Sequence, residues 1–266
     1  MRLLLSIVLL LVSTSVFAQE LFPTFSVTGA TSPSSFDTNV RIDPEETGGE
    51  GTLVSFEDDL GLEGERTVQR FGLQWRPFAR HELAATYFSA PRSGIEQINR
   101  DIVFRDETYP VNALVTTEFD LDYASATYTY WARRSDRDGL GITLGVAALA
   151  LDASITAERP GQSVTVTQTA ETEVPVALAG VQGRFAFTRT IFGEASVSTL
   201  PSVTIGDYTG TALTAGARLE YRPFRWIGVG AAYHYFRLDV DVDQGEFGGS
   251  LDMTIRGPEA FVRLAF

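Results

Sequence analysis

The sequence predicts an all-β fold: a closed, antiparallel, up-and-down transmembrane β-barrel of about ten strands. Three observations predict it. Side chains alternate apolar and polar with a period of two, tight polar turns alternate with longer polar connections, and charged residues share one phase of the alternation.

In chain order, the first twenty residues, MRLLLSIVLLLVSTSVFAQE, have the layout of a secretory signal: cationic Arg2, an apolar run from Leu3 to Val12 broken only by Ser6, and the small-residue exit Val16, Phe17, Ala18. That run is about half the ~20 residues a membrane-crossing helix needs. We place cleavage after Ala18, which makes 1-18 a signal peptide and 19-266 one barrel domain without a composition break.

No later segment approaches the ~18 consecutive apolar residues of a membrane helix, and a hydrophobic fraction of 44% exceeds that of a disordered chain. Cysteine is absent, which excludes disulfides, thiolate metal sites and cysteine nucleophiles. All 21 basic residues are Arg against 34 acids, for a net charge of -13, and loss of Arg2 with the signal takes it to -14. Such a balance argues against nucleic-acid binding, which needs clustered positive charge.

Four connections are short: Arg76 to Arg80, Arg133 to Gly139, Thr188 to Thr190, and Arg222 to Arg225, two of them sharing Arg-Pro-Phe. Five are longer: Pro44 to Gly64, Pro91 to Pro110, Arg159 to Thr172, Pro201 to Tyr208, and Gln244 to Gly249. Together they join ten strands and leave both termini at the short-turn end, as bacterial membrane barrels do. Eight strands is the alternative, because the start between Leu21 and Glu65 is ambiguous. Thr52 to Phe56, Asp101 to Phe104 and Val115 to Phe119 are β-rich and predict a sheet that continues beyond the membrane.

The two faces separate cleanly in several strands. Leu213, Ala215, Ala217, Leu219 and Tyr221 oppose Thr214, Gly216, Arg218, Glu220 and Arg222, and Phe71, Leu73 and Trp75 oppose Arg70, Gly72, Gln74 and Arg76. Leu140 to Ala148 and Ile227 to Tyr235 repeat the pattern. An Arg turned to lipid near mid-membrane costs roughly 2 to 4 kcal/mol, so a one-residue slip exposing Arg70, Arg184, Arg218 and Arg263 is prohibitive. A soluble barrel or sandwich would show the same alternation with its apolar face turned inward. Gly and Ala on the inner face, Tyr and Trp near strand ends, and the signal favour the membrane.

The chain ends in GPEAFVRLAF, with Ala260, Val262, Leu264 and the terminal Phe266 on one face. This resembles the C-terminal strand of outer-membrane barrel proteins, and the layout is similar to the small OmpA/OmpX-like or OmpT-like barrels. The long acidic first loop departs from that pattern and leaves the subfamily open. The resemblance implies a Gram-negative outer membrane as location, its lipid and lipopolysaccharide as surroundings, and recognition by the barrel-assembly machinery through Phe266.

The inner face collects Arg70, Arg76, Glu82, Arg184, Glu194, Arg218, Glu220, Arg222, Glu259 and Arg263, which predicts a salt-bridged plug; a narrow pore is the alternative. Of the two histidines, His81 lies beside a turn and His234 faces inward. His234 with Asp239 or Asp241 is the best hydrolytic pairing available, but with one element of a triad the reading preferred is a satisfied lumen histidine.

The first loop gathers Glu45, Glu46, Glu50, Glu57, Asp58, Asp59, Glu63 and Glu65, a solvated face or a divalent-cation trap. Asp239, Asp241, Asp243, Gln244 and Gly245 only partly match a calcium loop, since Gly comes one position late and no closing Glu follows. The expectation is therefore an envelope barrel with a structural or surface-interaction role, not an enzyme, and no catalytic, cofactor or metal residue is assigned. A narrow channel and a His234 hydrolase are the alternatives.

Overall fold

The computed structural model describes residues 20–43, 51–104, 107–158, 165–205, 208–244 and 247–266, so the signal segment lies outside it. Fourteen strands follow in order: β1 (Phe25–Ile42), β2 (Val54–Ser55), β3 (Glu65–Phe78), β4 (His81–Ser89), β5 (Arg92–Gln97), β6 (Ile102–Phe104), β7 (Glu107–Tyr109), β8 (Leu114–Arg134), β9 (Asp138–Glu158), β10 (Thr165–Ala186), β11 (Ile191–Ile205), β12 (Tyr208–Phe224), β13 (Ile227–Gln244) and β14 (Phe247–Ala265). Ten of these, namely β1, β3, β4 and β8 to β14, are staves of one antiparallel sheet that β14 closes on β1. Ten strands, not eight, therefore build the wall. The short β2 pairs with the far end of β1, β5 pairs with β8 beyond β4, and β6 and β7 form a separate hairpin.

All four short turns form where expected, at residues 79–80, 135–137, 187–190 and 225–226. In the second, Ser135 Oγ bonds to Asp138 Oδ1 at 2.6 Å and Arg133 pairs with Asp138 Oδ2 at 2.7 Å. The Ser135 bond, aided by Arg133, holds the Asp138 carboxyl below the usual carboxylate range.

The longer connections differ from expectation, because most of them are strand. β10 begins at Thr165, inside the span expected as a loop, β11 runs on to Ile205, and only two residues separate β13 from β14. The span Pro91 to Pro110 contains β5, β6 and β7. The sheet extension predicted from Thr52 and Val115 is present as β2 and the upper part of β8, whereas the segment predicted at Asp101 forms β6, which pairs only with β7.

The physical reason is a reversal of polarity along the long staves, plain on β9 and β8. On β9 the outward residues Leu140, Ile142, Leu144 and Val146 are exposed and apolar, while Gly141 and Thr143 point in. Farther along the same strand Asp152 points out and Leu149, Leu151 and Ile155 are buried. β8 repeats this, with Tyr130 and Tyr128 outward at the turn end, then Asp122, Asp120 and Glu118 outward above inward Leu121, Phe119 and Val115. The sorting into an apolar exterior and charged interior thus holds for the turn half only. In the loop half it is inverted, as in a barrel standing in water. Such polar outward faces read as loops in the sequence.

The apolar band spans Leu140 to Ala148 on β9. Nine residues at ~3.3 Å each give about 30 Å along the strand, or about 23 Å along the membrane normal at a tilt of roughly 40°. That matches the apolar band of a membrane barrel. Trp75, Phe78, Phe187, Tyr221, Phe224 and Trp226 ring its turn end. Trp131 is the exception to the expected girdle, since it points inward and is fully buried.

The reversal predicts opposite outcomes for one substitution on one strand. In protein refolded into vesicles, Leu144→Arg should destabilise by roughly 2 to 4 kcal/mol in denaturant titrations, whereas Asp152→Arg, outward but above the band, should change stability by less than about 0.5 kcal/mol. Equal losses would contradict the placement of the band.

Candidate functional site

Described residues are buried in both mouths of the barrel, with a cavity between them. At the loop end, residues after β2 fold over the mouth, and Phe56, Leu60 and Leu62 are buried against inward residues such as Val68, Val115 and Phe119. Phe56 meets Phe119 edge to face at 5.3 Å. Leu62 bridges to Gly94, and Gly61 takes φ +67°; a Cβ on Gly94 would fall 2.3 Å from the Gly61 carbonyl oxygen, so the lid approaches β5 only over glycine.

One ion pair latches this lid. The side chain of Arg92, at the start of β5, is fully buried; its Nη1 pairs with Glu57 and its Nη2 donates to Thr38 Oγ1 at 2.9 Å. Glu57 Oε2 also accepts the Thr38 N–H at 2.8 Å, and the guanidinium sits 4.5 Å from the Phe36 ring centroid. Burial lowers the Arg92 pKa, an effect that Glu57 opposes. Bases beyond the first loop pair with its other acids too: Arg100 with Asp59 at 2.6 Å and Arg66 with Glu63 at 2.7 Å. Among the described residues no group of acids is placed to hold a metal. Glu45, Glu46 and Glu50 lie outside the described residues.

At the turn end the ten predicted charges do point into the barrel and do pair. Arg184 binds Glu82 through two bonds of 2.7 Å and Glu194 at 2.8 Å, and Arg218 lies 3.7 Å from Glu194. Glu220 receives Arg222 at 2.9 Å and Arg263 at 3.2 Å, while Arg70 stands 3.6 Å from Glu259. Fully buried charges persist only when matched in this way.

Below them sits a stopper that the sequence reading missed. Leu21 and Phe22, ahead of β1, are buried in the mouth, Phe22 meeting Trp131 edge to face at 4.8 Å. Arg76 Nη2 donates to the Phe22 carbonyl at 2.6 Å, and Arg222 Nη1 to the Glu20 carbonyl at 2.7 Å. Two apolar residues before the first strand were the only sign of it.

The histidines stay apart. His81 is on the outer surface with its Nδ1 2.7 Å from Tyr128 Oη. The Nε2 of His234 is 3.1 Å from Glu259 Oε1, so its acidic neighbour is Glu259. Arg237, Asp239 and Asp241 occupy a strand rather than a calcium loop. Arg237 reaches Asp239 at 3.6 Å and Asp252 at 2.7 Å on the outer face, where His234 cannot meet them. The pairing of His234 with Asp239 or Asp241 is excluded by the alternation of strand faces. Gly245 lies outside the described residues.

Between lid and ion pairs lies a cavity of about 210 Å³, lined by Ser, Thr and Gln side chains together with Arg70, His234 and a wall of Phe88, Tyr123 and Phe236. Phe88 and Tyr123 stack at 4.9 Å, and Tyr123 meets Phe236 at 6.0 Å.

No family model and no curated protein matches this sequence. Among solved structures the chain is similar to the outer membrane protease OmpT from Escherichia coli, with TM-score 0.61, 8% identity, and 91% of this chain and 96% of that one covered. The fold is that of an outer-membrane β-barrel. Outer-membrane neighbours at lower similarity are the transport unit of the autotransporter AIDA-I from Escherichia coli (TM-score 0.42, 9% identity, 97% of each chain) and Neisserial surface protein A (TM-score 0.33, 11% identity, 91% and 97%). At these identities the likeness concerns fold alone. In outer-membrane barrels generally, the short turns face the periplasm and the longer loops the exterior.

The ion pairs and latch of the barrel give two expected outcomes. Arg184→Met strands Glu82 and should cost about 3 to 5 kcal/mol in equilibrium unfolding, with much of that recovered in the Arg184→Met/Glu82→Met double variant; no recovery would show that the pair is not the cause. Arg92→Met should accelerate amide exchange at Leu60 and Leu62 while leaving the β8–β9 ladder protected.

Proposed function

We propose that this protein is an integral outer-membrane barrel with a closed lumen and a structural or surface-interaction role in the cell envelope. The observation that carries this reading is the double closure: an apolar lid latched by Arg92 at one mouth, and ion pairs with the Leu21–Phe22 stopper at the other. A barrel of this strand number already has an interior that side chains largely fill. Lipid and lipopolysaccharide are the partners this reading implies, with Phe266 as the contact for assembly.

Neither alternative has comparable support. A channel needs a continuous wet path, which the latched lid interrupts. A hydrolase needs a nucleophile or activated water beside its base, and the acidic neighbour of His234 is Glu259, itself shared with Arg70. The expected outcome in planar bilayers is no steady single-channel conductance from refolded protein. Steady openings in the wild type would sink the closed-lumen reading.

A further inference from the structure

The cavity in the lumen has a lid above it and ion pairs below, so its wall decides what reaches it. The seam that closes that wall, between β1 and β14, is interrupted. Strands β1 and β14 pair from Ser26↔Ala265 to Thr31↔Ala260 and again from Ser35↔Arg256 to Ile42↔Gly249, in constant register, with no pairing between. The register puts Pro33 opposite Pro258, and proline has no N–H to give. Two ladder hydrogen bonds are therefore missing side by side at the seam that closes the barrel. Ser32 Oγ partly replaces them by donating to the Pro258 carbonyl at 2.7 Å. Gly257 is needed because the β1 backbone leans over it: a Cβ there would lie 2.4 Å from the Pro33 carbonyl oxygen.

The flaw borders the cavity, since Ser34, Arg256 and Gly257 all line it. Its height is equally specific. Outward on β14, Phe266, Leu264, Val262 and Ala260 precede Pro258, and charged Arg256 follows, so the gap stands where hydrocarbon gives way to lipid headgroups. We propose that the β1–β14 seam at Pro33 and Pro258 is a lateral port through which a neutral, hydroxylated headgroup of an outer-leaflet amphiphile enters the lumen cavity.

The cavity's chemistry selects that class of ligand. Thr86, Thr127, Ser196, Ser198 and Thr214 line it as hydroxyls from four staves. Arg70 Nε is buried and lacks a hydrogen-bond partner among the described residues, while His234 Nε2 is held 3.1 Å from Glu259 Oε1. A hydroxyl oxygen accepts from the Arg70 N–H. Charge adds no preference for an anion, because Arg70 faces Glu259 and Arg218 faces Glu194. The Phe88, Tyr123 and Phe236 rings offer a flat apolar side to a sugar-like ring.

This inference rests on the closed lumen proposed above, and its test separates the two. The cysteine-free chain permits a reversible lock, Thr31→Cys with Ala260→Cys, at directly paired positions next to the gap. The locked and reduced forms are compared in phosphatidylcholine vesicles carrying either an alkyl glucoside with a nitroxide on its sugar, or the same nitroxide-labelled glucose free in solution. The readout is paramagnetic broadening of the Ser196, Ser198 and Thr214 amides. Expected is broadening by the membrane-borne glucoside, lost on disulfide formation and regained on reduction. Pro33→Val/Pro258→Val, which restores both N–H groups, should abolish it without any crosslink. Broadening indifferent to both changes, broadening by free glucose alone, or no broadening in any form overturns the port. Conductance in the same vesicles would overturn the closed lumen instead, and leaves the dependence on the lock readable.

Discussion

Within hydrocarbon, a backbone N–H or C=O has no water to turn to, and each one left unpaired costs several kcal/mol. The structure depends on that constraint more than on any side-chain contact. It is why ten staves must close on themselves, why β14 has to find β1, and why Pro77 and Pro223 beside the tight turns sit at register shifts where the ladder skips them. The one proline pair inside the ladder stands out against this background, with a serine hydroxyl covering part of the deficit.

A second ordering is laid over the ladder. On β8 and β9 the two faces alternate along most of the strand, yet their meaning changes partway along. Beside lipid the outward side chains are Leu, Val and Tyr and the inward ones Arg and Glu; above it Asp and Thr look outward, and Leu, Phe and Met fill the interior. One continuous sheet thereby builds a membrane segment and a water-facing segment without any linker. The interior consequently has two kinds of filling: buried ion pairs such as Arg184 with Glu82 at the turn end, and an apolar core under the lid at the other.

The sequence made the closed sheet, its strand number, its turns and its ten inward charges legible, because period-two patterning and turn residues are local signals. Arg-Pro-Phe at Arg76 and Arg222 marked two turns directly. What it hid was non-local. The spans Arg159 to Thr172 and Pro201 to Tyr208 looked like loops because a strand in water has a polar face, and polarity alone does not distinguish the two. The latch joins Glu57 to Arg92 across 35 positions, and the neighbour of His234 is Glu259 rather than an aspartate nearby in sequence. Both are set by which staves the barrel brings together, and no local pattern encodes that.

The seat of Phe22 carries a consequence for the order of events during assembly. That seat is built from Trp131 on β8 and Arg184 on β10, with Phe192 on β11 beside it, all encoded more than a hundred positions downstream. A segment that emerges early in synthesis therefore has nowhere to rest until the wall is largely laid down. Its docking belongs to the close of maturation, and a chain caught earlier would still have an open floor.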